Sequence, residues 1–126
     1  MNNPHALTRA AEAMLRALGG TEIKLRCPVG TAKDELARQL GLEAPVAEDI
    51  AVSPVVVHPS GQDLELLIAP SSVAPYMQDR GQTAEQFFNG VLAVLHAGCQ
   101  YQLKLFHVEQ CAGAAYLYRI TVTANS

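Results

Sequence analysis

The sequence predicts an α+β domain: a mainly antiparallel sheet or small β-barrel with an N-terminal amphipathic helix and one or two short inserted helices. Three observations carry this reading. Apolar and polar residues alternate with a period of two in several separate runs, the signature of half-buried strands. The runs follow one another through turn clusters rather than through helical crossovers, which favours hairpins over βαβ units. A single helical stripe precedes them all.

From Leu7 to Leu18 the apolar residues Leu7, Ala11, Met14, Leu15 and Leu18 fall on one face of a helix, with Arg9, Glu12 and Arg16 on the other. Gly19-Gly20 ends it, because glycine readily supplies a left-handed closing residue. In the next run Ile23, Leu25 and Cys27 point one way and Glu22, Lys24 and Arg26 the other, a strand stopped by Pro28. Residues 31–41 read either as a short helix started by Thr31 and Asp34, or as a loop touching the core through Leu40 and Leu42; the helix is preferred.

Asp49 to Val57, with Ile50, Val52, Val55, Val56 and Val57, reads as another strand, broken by Pro54, which cannot donate to a sheet ladder. This predicts an edge position or a bulge at Ser53-Pro54. A turn at 59–63 leads to Leu64, Leu66 and Ile68, so the two runs read as a hairpin. Pro70-Ser71-Ser72 opens a short helical turn through Met77 that Gly81 ends. Thr83 then caps a second helix, Gln86 reaches back to it, and Phe87 and Phe88 anchor it in the core. Val91 to Leu95 is a strand if that helix stops at Gly90, or its continuation if it runs on to His96; the strand is preferred. Tyr101, Leu103 and Leu105 pair in a hairpin with Tyr116, Tyr118, Ile120 and Val122, across a loop placed at 109–114.

The 126 residues make one domain, large enough to close an apolar core. With 49% apolar and 17% charged residues the chain is too dry for disorder, and some of its apolar surface is expected to meet a partner. Nine basic residues are scattered among twelve acidic ones for a net charge of −3, so no basic footprint for nucleic acid is present. The longest apolar stretch, Val91 to Leu95, is far short of the roughly 20 residues of a spanning helix. Residues 1–5 do not read as a secretory leader. The expectation is a soluble, cytoplasmic protein, or a virion component if the chain is phage-derived.

No catalytic, cofactor-binding or metal-binding residue is assigned from the sequence, and no small-molecule ligand is implied. His58, His96 and His107 lack the spacing of a metal helix, although with Cys99 they could gather in space around zinc. Cys99 or Cys111 with His96 or His107, oriented by Glu109 or Asp79, is the sharper enzymatic idea, but no local signature accompanies either cysteine. The bland reading of Cys27, Cys99 and Cys111 is buried thiols; a Cys99–Cys111 disulfide requires that they sit on paired strands. Glu48 and Asp49 read as a solvated loop before a strand, on opposite faces if extended. Asp63 and Glu65 share a strand face that reads as the wet one.

The order of features carries a resemblance. A helix ending in Leu18-Gly19-Gly20 is followed by Glu22-Ile23-Lys24-Leu25-Arg26-Cys27-Pro28, then Gln39-Leu40-Gly41-Leu42 and Glu48-Asp49-Ile50-Ala51-Val52-Ser53-Pro54. Later come Leu66-Leu67-Ile68-Ala69-Pro70-Ser71-Ser72-Val73 and a closing Gly113-Ala114-Ala115-Tyr116-Leu117-Tyr118-Arg119-Ile120. By pattern and element order, this resembles small bacteriophage or prophage virion proteins of the head–tail connection, of the head-completion or adaptor type. The resemblance implies a barrel-like domain that joins others in a ring, with function in its surfaces and no catalytic residues to transfer. Segments 28–48 and 109–114 are the loops expected to meet neighbours. The expected function is therefore structural, through self-association or binding to other virion proteins. Two alternatives are a small ligand-binding or regulatory module, with an apolar pocket between the sheet and the Phe87–Phe88 helix, and a small enzyme using a cysteine nucleophile or a scattered metal site.

Overall fold

A computed structural model of the chain describes residues 4–29, 35–36, 38–41, 47–111 and 113–124. Six strands form a closed antiparallel barrel in the order β1-β2-β3-β6-β5-β4. They are β1 (Thr21–Pro28), β2 (Ala47–Ser60), β3 (Asp63–Ile68), β4 (Ala93–His96), β5 (Cys99–Cys111) and β6 (Ala114–Ala124). Helix α1 (Pro4–Ala17) precedes the barrel; α2 (Pro70–Arg80) and α3 (Ala84–Asn89) lie between β3 and β4. Glu35, Leu36, Arg38 and Gln39 are also helical, in keeping with the preferred short helix, while Thr31, Asp34 and Leu42 lie outside the described residues.

Alternation sorts side chains between two apolar clusters. Ile23, Leu25, Cys27, Val52, Val55, Leu66, Ile68, Ile120 and Val122 point into the barrel and meet Val73 of α2 and Phe87 and Phe88 of α3. The two inserted helices therefore stopper the barrel. Helix α1 instead sits outside, where Leu15 packs with Ala69, Leu117, Val56 and Leu67. Strands β2, β3 and β6 are thus covered on both faces, which is why Leu67 and Leu117 are apolar at outward positions.

The seam of α1 is narrower than its stripe. Ala11 and Leu15 are buried, but Met14 is 45% and Leu18 62% exposed. Residues 7, 11 and 15 form a single i, i+4 row against the strands, and Met14 and Leu18 belong to the next row. The helix closes with Gly20 N–H donating to Leu15 O at 2.8 Å and Gly19 N–H to Arg16 O at 3.1 Å. Gly19 takes the left-handed conformation (φ +83°), which completes a Schellman cap.

Pro54 is not on an edge, because the barrel has none. Residues Ala47–Val52 and Val55 of β2 pair with β1, and Val55–Ser60 pair with β3. Ser53 and Pro54 are the residues left out of both registers, between Val52 opposite Ile23 and Val55 opposite Thr21, so the missing N–H of proline falls in a bulge. The expected bulge is present as a register shift between Thr21 and Ile23 opposite this point. The Thr83 capping box is fully formed, with Gln86 N–H donating to Thr83 Oγ1 at 3.2 Å and Thr83 N–H to Gln86 Oε1 at 3.0 Å. Helix α3 ends at Asn89, so residues 93–96 are free to become the expected strand.

Two expected loops are strand instead. Residues 109–111 continue β5, and β6 begins at Ala114 directly after Gly113, which turns at φ +79°. A second register shift at Glu109/Gln110 absorbs the broken alternation that made this stretch read as loop. Ala47 and Glu48, at the end of the loop expected over 28–48, are the first residues of β2, which thus starts two residues before the expected Asp49.

Candidate functional site

The residue types that could carry chemistry are spread around the barrel. His96 and Cys99 are register partners that close the β4–β5 hairpin across Ala97-Gly98. Glu109 lies ten residues further along β5, roughly 30 Å away by strand rise, and cannot orient that pair. Cys111 closes the opposite end of β5, so the strand itself holds Cys99 and Cys111 roughly 40 Å apart and a disulfide between them is ruled out. Cys99 is exposed rather than buried, Cys111 half-buried, and only Cys27 fits the buried-thiol expectation.

His58 faces Glu65 across β2–β3, and His107 faces Arg119 across β5–β6. His107 Nε2 lies 3.4 Å from Glu109 Oε1, and Arg119 bridges Glu109 and Glu65 at 3.6 and 3.3 Å. This is a surface ion-pair ladder over three neighbouring strands. Among the described residues no three His, Cys, Asp or Glu side chains gather as a metal-binding group. Asp63 lies on the wet face as expected, paired with Lys104 at 3.0 Å, and hydrogen bonds from Lys104 and then Thr123 hold its carboxyl below the usual carboxylate range.

The built polar site lies where β1 ends, β2 begins and α2 stops. Being in extended chain, Glu48 and Asp49 do point to opposite faces. Asp49 meets Arg26 from the neighbouring β1, with Nε donating at 3.0 Å and Nη2 at 3.4 Å. That hydrogen bond pulls the Asp49 carboxyl down and pushes the Arg26 guanidinium up. Glu48 turns the other way and takes a hydrogen bond from Arg80 Nη2. Arg80 ends the last turn of α2, where a cation complements the helix dipole. Its Nη1 donates back to Tyr76 O at 3.4 Å and its Nη2 to Pro28 O at 3.4 Å. One guanidinium thus ties α2, β1 and β2 together, with only 7% of its side chain exposed.

Arg80 separates two hollows. On one side is an open groove with Glu48, Asp49 and Asp79 along it and Tyr76 at its wall. On the other is a cavity of about 100 Å³, bounded by Cys27, Pro28 and Val29, by Arg80 and Gln82, and by Phe87 and Gly90 of the α3 region. Burial pushes the Cys27 thiol up to about 11, so it is neutral near pH 7, and its Sγ–H points toward Leu25 O at 3.8 Å. The apolar pocket expected between the sheet and the Phe87–Phe88 helix is not what lies here: this hollow is largely polar, and of the two rings Phe87 alone lines it. Phe88 is fully buried in the barrel core, stacked on Phe106 at 4.8 Å.

Sequence reading missed Arg80. It sits beyond the stretch read as helical, and its only signal was its place directly before Gly81 at a helix end; the carbonyl and carboxylate that bury it come from residues 52 and 32 positions away.

These features define an α+β protein of the closed, six-stranded antiparallel barrel class, with a polar cavity at its stoppered end. Among the described residues, no helix is long and apolar enough to cross a membrane. The sequence matches no family model, and neither the curated proteins nor the solved structures contain a match to it.

Proposed function

We propose that this chain is a non-enzymatic assembly module that works through its outer surface, by self-association or by docking on other proteins of a larger particle. Head–tail joining in a phage-like particle is the specific form of this reading that the sequence resemblance implies. The observation that carries it is the second apolar row of α1. Met14 and Leu18 stand one helical turn apart beside the buried row and face solvent. A helix needs only the row through Ala11 and Leu15 to hold the barrel, so the wider stripe is surplus to the monomer's own packing. Exposed Leu92 and Leu105 on the barrel wall add to the same surplus. The filled interior supports a role in surfaces, since Phe88, Leu25, Leu66 and Ile120 occupy the space that a ligand-carrying barrel would leave open.

The test is native mass by light scattering over a wide concentration range. The expected result is a discrete ring-sized species, or mass rising with concentration, reduced by Leu18→Lys with an unchanged circular dichroism spectrum. A strict monomer at every concentration, with Leu18→Lys behaving identically, removes the support for assembly through this row.

A further inference from the structure

The barrel wall is closed, but β5 outruns the strand that closes it. Only Val94, Leu95 and His96 of β4 pair with β5, opposite Tyr101, Gln100 and Cys99. From Gln102 to Gln110 one flank of β5 is taken by β6, and no strand lies on the β4 side. Among the described residues, no turn or loop bond of the backbone reaches that side either. In an antiparallel ladder alternate residues aim both backbone groups at the same partner. Every second residue of this stretch therefore holds a donor and an acceptor out toward the free side.

A flank of this kind accepts another strand, and proteins usually guard it with charged side chains or proline. Here the charges of β5 are turned away. Lys104 reaches back across β6 to Asp63 of β3 at 3.0 Å. Glu109 is held by Arg119 of β6 at 3.6 Å, and His107 by Glu109 at 3.4 Å. No proline interrupts the stretch, and Leu105 stands 62% exposed on it. Register shifts at Leu103/Leu105 and at Glu109/Gln110 bound its regular part to Leu105–Glu109.

We propose that Leu105–Glu109 is an interface at which two copies of the chain pair β5 to β5, antiparallel, about a two-fold axis at His107. The symmetry of the stretch selects this occupant. An isologous contact lays one patch on itself, and the regular segment is centred on His107. Pairing in that register sets His107 against its own counterpart, Leu105 against the partner's Glu109, and Phe106 against the partner's Val108. Phe106 and Val108 already pack on the barrel core, so the inner surface of one sheet runs on into the next. The aliphatic stem of Glu109 covers Leu105 while its carboxylate stays with Arg119. Roughly four to six backbone hydrogen bonds form, according to which alternate set faces outward. The contact is small beside a standard interface, so the dimer is weak. It shares no residue with the outer row of α1 and stands or falls apart from assembly through that row.

Amide hydrogen exchange of the full-length, ¹⁵N-labelled chain, followed by NMR at low micromolar and at millimolar concentration, tests this. The alternate amides of 105–109 that do not bond to β6 should exchange freely when dilute and at least severalfold more slowly when concentrated; those bonded to β6 should not change. Leu105→Lys, which puts a charge over the flank, should abolish this concentration dependence, and Leu18→Lys should leave it. In a Cys99→Ser, Cys111→Ser background, His107→Cys should oxidise to a disulfide-linked dimer. Opposed Cα atoms of an antiparallel pair lie about 4.5–5.5 Å apart, within disulfide reach. Gln102→Cys in the same background should stay monomeric. Exchange at 105–109 that is independent of concentration overturns the proposal; if the mass nevertheless rises, assembly through α1 stands without it. Loss of the protection in Leu18→Lys overturns it too, because α1 contacts then shelter the flank. So does a cross-link as efficient at residue 102 as at 107, which places another register or strand there.

Discussion

The two glycines at the end of α1 are adjacent in sequence but do different work, and alanine substitutions separate their roles. Gly19 needs its positive φ of +83°, yet a Cβ there would point into open space. Placing alanine in that conformation costs roughly 1–2 kcal/mol. About 0.4–1 kcal/mol returns because the unfolded chain is less free, so Gly19→Ala should cost about 0.5–1 kcal/mol. Gly20 has no such φ. A Cβ on it would instead lie 2.8 Å from Leu15 O and 2.8 Å from Pro54 Cβ, so the end of α1 and strand β2 must move apart. Overpacking of this kind typically costs about 1–3 kcal/mol, and here it loosens the contact that buries Leu15 and Leu117. Gly20→Ala should therefore cost about 1–2 kcal/mol net, more than Gly19→Ala. Urea unfolding followed by circular dichroism is the assay, since the chain has four tyrosines and no tryptophan. Both variants should lower the midpoint with an unchanged slope. A Gly20→Ala variant as stable as wild type, or less affected than Gly19→Ala, would refute the close approach of α1 to Pro54.

Phe88 is fully buried against Phe87, Phe106 and Tyr118. Phe88→Ala should cost about 3–5 kcal/mol, much of the stability of a domain this size, and thermal melts would show it. Ala97 is strained at φ +51° ahead of Gly98 in a two-residue hairpin turn that favours Asn-Gly. Ala97→Asn should stabilise by about 0.5–1 kcal/mol, raising Tm by roughly 2–5 °C in calorimetry. Two groups give the stability curve opposite pH limbs. The Asp63 carboxyl is held low by Lys104, so its contribution is present above about pH 4 and lost as pH falls further; Asp63→Asn should flatten that acid limb in urea titrations. The Cys27 thiol is raised, so stability is retained below about pH 9 and falls as pH rises toward 11. The Cys27 share of the slope there is at most about 1.4 kcal/mol per pH unit, and Cys27→Ala should remove that share and leave the part from Tyr101 and Tyr118, whose hydroxyls burial also pushes up.

Local patterns in the sequence specify much of this architecture. Ile23, Leu25 and Cys27 alternate because one face of β1 is core, and Thr83 and Gln86 mark a helix start by their own hydrogen bonds. What could not be read depends on distant partners. Pro54 signals an edge or a bulge to a local argument, and only the register against β1 shows that the bulge is what makes it tolerable inside a closed barrel. Residues 109–111 break alternation at a bulge, so strand reads as loop. Met14 and Leu18 look buried because a stripe does not say how wide its seam is. Arg80 was illegible for the same reason. Of the residues weighed for chemistry, His96 and Cys99 meet, but none of the cysteine and histidine candidates reaches the Arg80 cavity. The thiol that does line it, Cys27, was placed correctly on the inward face of its strand.

The outer arm of the β5–β6 hairpin has a consequence for how the protein breathes. β4 accompanies β5 only as far as Tyr101, and β3 accompanies β6 only from Tyr118 onward. Between Glu109 and Leu117 the two strands pair with each other alone, and Leu117 is covered from outside by Leu15. Opening this arm breaks no bond of the barrel wall, but it does uncover α1. Amides of 109–111, of 113–117 and of the second half of α1 should therefore exchange with solvent as one cooperative unit, at a lower free energy than those of Leu66 or Ile120. Helix α1 takes the place of a third strand for this arm, and the two come loose together while the barrel stays shut.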